Sequence, residues 1–253
     1  MNESNQPSQT GRRSDFRYLP SIFVKPRQTF TELTSGLRVV WLAPMLVLTL
    51  SAILVVVVSG VMRSRAAANG TVELPQDWQY WSQEMQDNYM QAQQSRQGPL
   101  FMYVLPLLGS LVSLWMGWVV FSGLLHLVST ILGGRGSLRG TLNVVAWASL
   151  PYLIRDLLRM IYMLAASSAI SSPGLSGFAG GTGFLSSMLA RTDVFLIWYI
   201  LLLGIGAAIS EGLPRGKAFA GVVVLVLAVL LIQAGIGALG SNLGLSVVSR
   251  PYF

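Results

Sequence analysis

The sequence predicts an all-α, polytopic membrane protein with five transmembrane helices, its N-terminus cytoplasmic and its C-terminus outside. Three observations predict it. Of 253 residues, 53% are hydrophobic and 11% charged, against about a quarter charged in soluble domains, and the mean hydropathy is +0.58. Four apolar runs approach the ~20 residues that cross a bilayer, and another is interrupted by charges. Lysine and arginine also favour one side of the resulting topology. This composition excludes a soluble enzyme, a disordered scaffold and a disulfide-stapled secreted module. With no cysteine and one histidine, His126, it also excludes thiolate and poly-histidine metal sites.

The first run extends from Trp41 to Met62 without a charge. The second lies within Pro99–Leu132, too long for one perpendicular helix, so its core is placed at Leu105–Ile131 with GPLFMYV before it at the interface. The third begins near Thr141, should kink at Pro151, where a backbone donor is missing, and then meets Arg155, Asp156 and Arg159. Val194–Ser210 and Ala218–Gly240 are the fourth and fifth. Arg12, Arg13, Arg17, Lys25, Arg27, Arg38, Arg135, Arg139, Arg215 and Lys217 fall on one side, ten in all. Arg63, Arg65, Arg96, Arg191 and Arg250 make five on the other, where Glu73, Asp77, Glu84 and Asp87 also lie. The larger group marks the cytoplasmic side. No cleavable signal is read, because the first thirteen residues are polar and the first apolar run is too long and too late.

These spans divide the chain into a disordered cytoplasmic tail (1–13), a cytoplasmic interfacial amphipathic segment (14–38), a membrane domain (39–241) and an outer C-terminal tail (242–253). In the second segment Pro26 can open a helix and Gly36 close it, with Phe30, Leu33 and Leu37 on one face. Anchoring at the headgroups and docking of a cytosolic partner both stay open. The outer loop 63–98 contains an expected amphipathic helix over 75–95, because Trp78, Trp81, Met85, Tyr89 and Ala92 recur at helical steps after Pro75. That stripe could rest on its own bundle, lie in the headgroup layer or form a partner-binding face through Trp78, Trp81, Met85 and Tyr89. The second outer loop (AASSAISSPGLSGFAGGTGF) is rich in glycine and serine and reads as flexible.

Arg155, Asp156, Arg159 and His126 are the candidate intramembrane polar group, since charge at membrane depth marks a functional site by default. An ion pair from Asp156 to Arg159, or an exit of the helix along the outer interface, is the alternative. His126 has no carboxylate near it in sequence, so a hydrogen-bonded structural role is weighed against a proton relay. Glu211, at the end of the fourth span, reads as helix capping. GGRG is a tight turn rather than a phosphate loop, lacking G-K-[ST] and a preceding strand; Arg135 and Arg139 there are expected to meet lipid headgroups. No catalytic set can be assembled, so the chain is read as a non-enzyme without cofactor, metal or nucleic-acid partner. Small residues at Ser113/Gly117, Gly204/Ala208 and Ala234/Ala238 permit close packing and leave the oligomeric state open.

KPRQTF before the first span, His126 followed by LGGRGSLRGTL, AWASLPYLI, and DVFLIWYILLLGIGAAISEGLPRGKAFA together resemble the Yip (Ypt-interacting protein) domain family across roughly residues 20–240. The resemblance implies an interaction protein rather than a catalyst. Eukaryotic relatives work with small GTPases in vesicle trafficking, and bacterial ones look like companions of membrane machinery, including ABC exporters of the macrolide-export type. It implies structural roles for Pro26, Phe30, His126, Gly133, Gly134, Pro151 and Lys217, and supplies no catalytic residue. A bacterial-branch protein of the cytoplasmic membrane that binds and modulates or helps assemble a membrane partner is therefore expected. The competing reading is a small self-contained transporter or lipid-handling protein built on Arg155, Asp156 and Arg159.

Overall fold

A computed structural model describes residues 16, 18–35, 40–68, 78–96, 98–170, 172–179 and 183–242. The expected tail 1–13, most of the tail 242–253, and Arg17, Gly36, Leu37, Arg38, Glu73, Pro75, Asp77 and Arg250 lie outside them. The described residues form ten α-helices and no strand: α1 (Tyr18–Val24), α2 (Pro26–Thr34), α3 (Leu42–Ala68), α4 (Gln83–Arg96), α5 (Leu105–Ile131), α6 (Leu138–Ala148), α7 (Pro151–Ala166), α8 (Phe184–Leu189), α9 (Val194–Ser210) and α10 (Arg215–Asn242).

Among the described residues, three helical stretches are long and apolar enough to cross a membrane: Leu42–Ala68, Leu100–Ile131 and Arg215–Leu239, with Val194–Ser210 as a shorter apolar helix. GPLFMYV, expected at the interface, leads into the second stretch: Leu100–Val104 is a π-helical turn running straight into α5. The physical reason is Pro106, which has no N–H to offer the preceding turn. The ladder widens there, and Leu105 N–H reaches Leu100 O, the five-residue spacing of a π-bulge.

The third apolar stretch is divided at Pro151. Ser149 and Leu150 keep right-handed dihedrals, but the hydrogen bonds tighten to three-residue spacing: Leu150 N to Trp147 O at 3.4 Å, Tyr152 N to Ser149 O at 3.0 Å and Leu153 N to Leu150 O at 3.0 Å. Helix α6 before the break is the middle of the bundle, with Thr141 and every residue from Asn143 to Ala148 buried. Side-chain-to-backbone bonds tie it to both neighbours. Trp118 Nε1 donates to Leu142 O at 3.0 Å, Trp147 Nε1 to Val40 O at 3.0 Å, and Val40 N to Asn143 Oδ1 at 3.2 Å. In a bundle whose surroundings are as apolar as its core, such bonds and close packing supply much of the helix association.

Helix α2 does more than cover the end of the bundle. Phe30 is fully buried and Leu33 nearly so, both in the main core. Gly206 of α9 makes room: a Cβ there would meet Val144 and the Phe30 ring. The second outer loop, expected to be flexible, is built where it is described. It holds a 3-10 turn (Ser176–Phe178) and α8, and Leu175 N bonds Leu189 O at 2.9 Å and Thr192 O at 3.2 Å. Gly174, at φ 59°, brings the chain back against those carbonyls, and α8 packs on α10.

Candidate polar sites at the two ends of the bundle

The Arg155–Asp156–Arg159 group sits inside the protein, with Arg155 and Asp156 buried at 4% and 1% exposure. Asp156 accepts a hydrogen bond from Ser51 Oγ of α3 at 3.1 Å and lies 3.8 Å from Arg155 Nε. The guanidinium of Arg155 stacks over the Tyr152 ring, 4.4 Å from its centroid. A residue that sequence reasoning did not place here completes the cluster. Asp193 Oδ2 lies 3.8 Å from Arg155 Nη1 and 4.0 Å from Arg159 Nη2, while Asp193 Oδ1 caps α9 by accepting from Leu196 N at 2.9 Å. Its signal was present, an aspartate immediately before an apolar run; what the sequence could not show is that α9 starts beside the second turn of α7. Arg155 and Asp156 are enclosed by α3, α7 and α9.

At the other end, His126 finds the carboxylate missing from its sequence neighbourhood. Glu211 Oε1 lies 3.3 Å from His126 Nδ1 and accepts the hydroxyl hydrogen of Thr141, whose Oγ1 is 3.4 Å from the same ring nitrogen. Helices α5, α6 and α9 meet at these three side chains, and Glu211 is 1% exposed. The glycine turn encloses it. Leu132–Gly134 closes α5 as a Schellman motif, with Gly134 N to Ser129 O at 2.8 Å, Gly133 N to Thr130 O at 3.0 Å and Gly133 at φ 95°. Arg135 N then donates to Glu211 O at 2.9 Å, and Gly136 passes so near that a Cβ would strike Glu211 Oε2 and Ser210 O. Ser137 caps α6 by accepting from Gly140 N. The fragments LGGRGSLRG and ISEG are thus two sides of one contact. Glu211, read from sequence as a capping residue, does occupy the cap position of α9, but its carboxylate turns inward to His126.

Set against known proteins, this chain matches the model of the Yip1 domain over residues 21–237. The chain belongs to the Yip1 domain family. No curated protein and no solved structure matches it. Within the Yip1 domain, the matched residues take in both polar sites and every motif position read from the sequence. Phe30 is a core residue, Pro26 opens α2, Pro151 opens α7, and Lys217 is exposed in the first turn of α10. Arg135 and Arg139 are exposed on the glycine turn and the start of α6.

The aromatic residues of the 78–96 segment do not share one helical face as their spacing predicts. Trp78–Tyr80 is a 3-10 turn and the α-helix starts at Gln83, because Ser82 Oγ accepts from Met85 N at 3.3 Å and caps it. The rings of Trp78, Trp81 and Tyr89 instead close on one another at 5.5–5.7 Å, and Gln86 Nε2 holds the turn through Trp78 O and Trp81 O. Met85 is half exposed. Among the described residues no group of three or more histidine, aspartate and glutamate side chains could hold a metal ion.

Removing the Glu211 carboxylate leaves Thr141 and His126 without their shared acceptor. Glu211→Ala is expected to lower unfolding stability in detergent by about 1–3 kcal/mol. A His126→Ala/Glu211→Ala double-mutant cycle should show coupling of about 0.5 kcal/mol or more, and strict additivity would disprove the contact.

Proposed function

We propose that this Yip1-domain protein is a non-catalytic, five-span protein of the bacterial cytoplasmic membrane that binds a membrane partner and modulates or helps assemble it. The partner class proposed is an ABC exporter, on the family resemblance. In this reading α3, α5, the α6–α7 pair, α9 and α10 are the crossings, and the lysine and arginine excess sets α2 and the glycine turn in the cytoplasm. Helix α4 is then outside.

The observation that carries the reading is α4 itself. None of its residues from Gln83 to Ala92 is buried, and it packs on the bundle against the Leu100–Val104 turn. With the adjoining turn it displays Tyr80 at 81%, Met85 at 51% and Met90 at 46% exposure beside the stacked Trp78, Trp81 and Tyr89. Rigid aromatic clusters flanked by methionine are the composition of protein-binding hot spots.

A photoreactive amino acid at Tyr80, in cells producing the chain at its native level, should crosslink to an exporter ATPase or permease. Trp78→Ala with Trp81→Ala should reduce that adduct by at least about tenfold, since hot-spot truncations cost ~2 kcal/mol or more, with membrane insertion unchanged. Undiminished adduct in the double variant would reject α4 as the docking face.

A further inference from the structure

The chain carries no charge from Met160 to Ala190, and the loop in that stretch, described over 172–179 and 183–190, is a built unit. Its 3-10 turn packs on α8, and Ser187 N bonds Gly183 O at 2.9 Å. The large side chains it exposes are all apolar: Leu175, Phe178, Phe184 and Leu185, with Phe178 at 86% and Leu185 at 61%. The charges that follow turn inward. Arg191 is 6% exposed, its Nη1 donating to Ser187 O at 2.6 Å, and Asp193 faces Arg155 and Arg159. A fixed, uncharged surface bearing exposed phenylalanine and leucine marks a contact with something other than water.

The packing of α8 on α10 sets the depth of this surface. The contact falls at Gly237, where a Cβ would meet Ser187. At about 1.5 Å per residue, Gly237 lies ~30 Å along α10 from the exposed Lys217, which is the thickness of a hydrocarbon core, about 30 Å. With Lys217 at one headgroup layer, α8 therefore lies where the acyl chains meet the other. Ile232, Ile236 and Leu239, on either side of Gly237, are exposed and apolar, so the surface of the loop continues the lipid-facing side of α10. Irregular backbone left in the hydrocarbon would have its polar groups unsatisfied, which keeps the loop itself at the headgroups.

We infer that this loop is an interfacial anchor, seated in the headgroup layer at the end of the bundle opposite the glycine turn, with Phe178, Phe184 and Leu185 reaching the first acyl carbons. Its occupant is the lipid surface, in the manner of short amphipathic segments that bury phenylalanine and leucine at the acyl boundary. The inference rests on the crossing by α10 in the proposed reading and is independent of any partner at α4.

Because the chain has no cysteine, a nitroxide can be placed at one position at a time. Phe178→Cys and Leu185→Cys are labelled in the full chain and reconstituted in liposomes of dioleoyl phosphatidylcholine. Ile232→Cys serves as the acyl reference and Glu84→Cys as the aqueous one. Electron paramagnetic resonance power saturation then compares collision with oxygen, which concentrates in the acyl region, and with a water-soluble nickel chelate present on both sides. At 178 and 185 the oxygen-to-nickel ratio should rise well above that of Glu84→Cys, toward that of Ile232→Cys. A ratio equal to that of Glu84→Cys at both positions would overturn the anchor and leave the loop in water. Protection from both reagents would also overturn it, since a second copy of the chain would then cover the loop. An aqueous ratio at Ile232→Cys would instead reject the crossing by α10, so failure of the anchor and failure of the topology are read at different positions.

Discussion

Asp156→Leu is expected to destabilise the protein by about 3–5 kcal/mol, the cost of breaking a buried ion pair from one side. Asp156 is 1% exposed and Arg155 4%, so the substitution leaves a guanidinium in the bundle with one of its carboxylates gone and removes one of the two acceptors of the Ser51 hydroxyl. Asp156→Asn keeps an acceptor for Ser51 and should fall between the two. Arg155→Leu combined with Asp156→Leu should be less destabilised than Asp156→Leu alone, because the stranded charge is gone. Unfolding in mixed micelles by increasing dodecyl sulfate reads the series. A loss below about 1 kcal/mol for Asp156→Leu would be the value of an exposed pair and would contradict the enclosed geometry.

Trp147→Ala should cost a similar amount, about 3–5 kcal/mol for a fully buried aromatic. The side chain has 0% exposure, packs edge-on against Tyr18 of α1 at 6.1 Å and donates to Val40 O. It therefore binds α6, the entry to α3 and the N-terminal helices together. Trp147→Phe separates the parts: it keeps most of the packing and loses only the N–H, for about 1–2 kcal/mol. Thermal unfolding of the purified chain distinguishes them. Equal losses for alanine and phenylalanine would show that the hydrogen bond, rather than the ring, carries the junction.

The helices that read best from sequence are those whose boundaries are set locally. Val194–Ser210 reads from sequence as a clean apolar run, and α9 has those bounds. Leu105–Ile131 is likewise α5, its end marked by the two glycines of the Schellman motif. Pro151 divides α6 from α7 where a missing donor requires it. The readings that changed depended on local competition a periodicity count ignores. Ser82 caps α4 later than the aromatic spacing predicts, and Pro106 makes the stretch leading into α5 a π-turn.

The polar sites were half legible. Arg155, Asp156, Arg159 and His126 stood out because charge and imidazole are costly among apolar residues. Their partners did not, since Asp193 and Glu211 lie at helix ends, where a carboxylate already has a local explanation. Only the packing of α9 between α6 and α7 brings Asp193 to the two arginines and Glu211 to a histidine 85 residues away in sequence.

By itself the sequence determined an all-helical membrane chain, the helices α5 and α9, the break at Pro151 and the Yip-family likeness. These rest on composition, apolar run length and backbone chemistry within a few residues. The tertiary structure alone decided that α6 is central, that Phe30 is core, that the loop is folded over 172–179 and 183–190, and which carboxylates Arg155, Arg159 and His126 meet. Those outcomes depend on which helix faces touch, a choice made by packing over long chain separations, to which hydrophobic periodicity is blind.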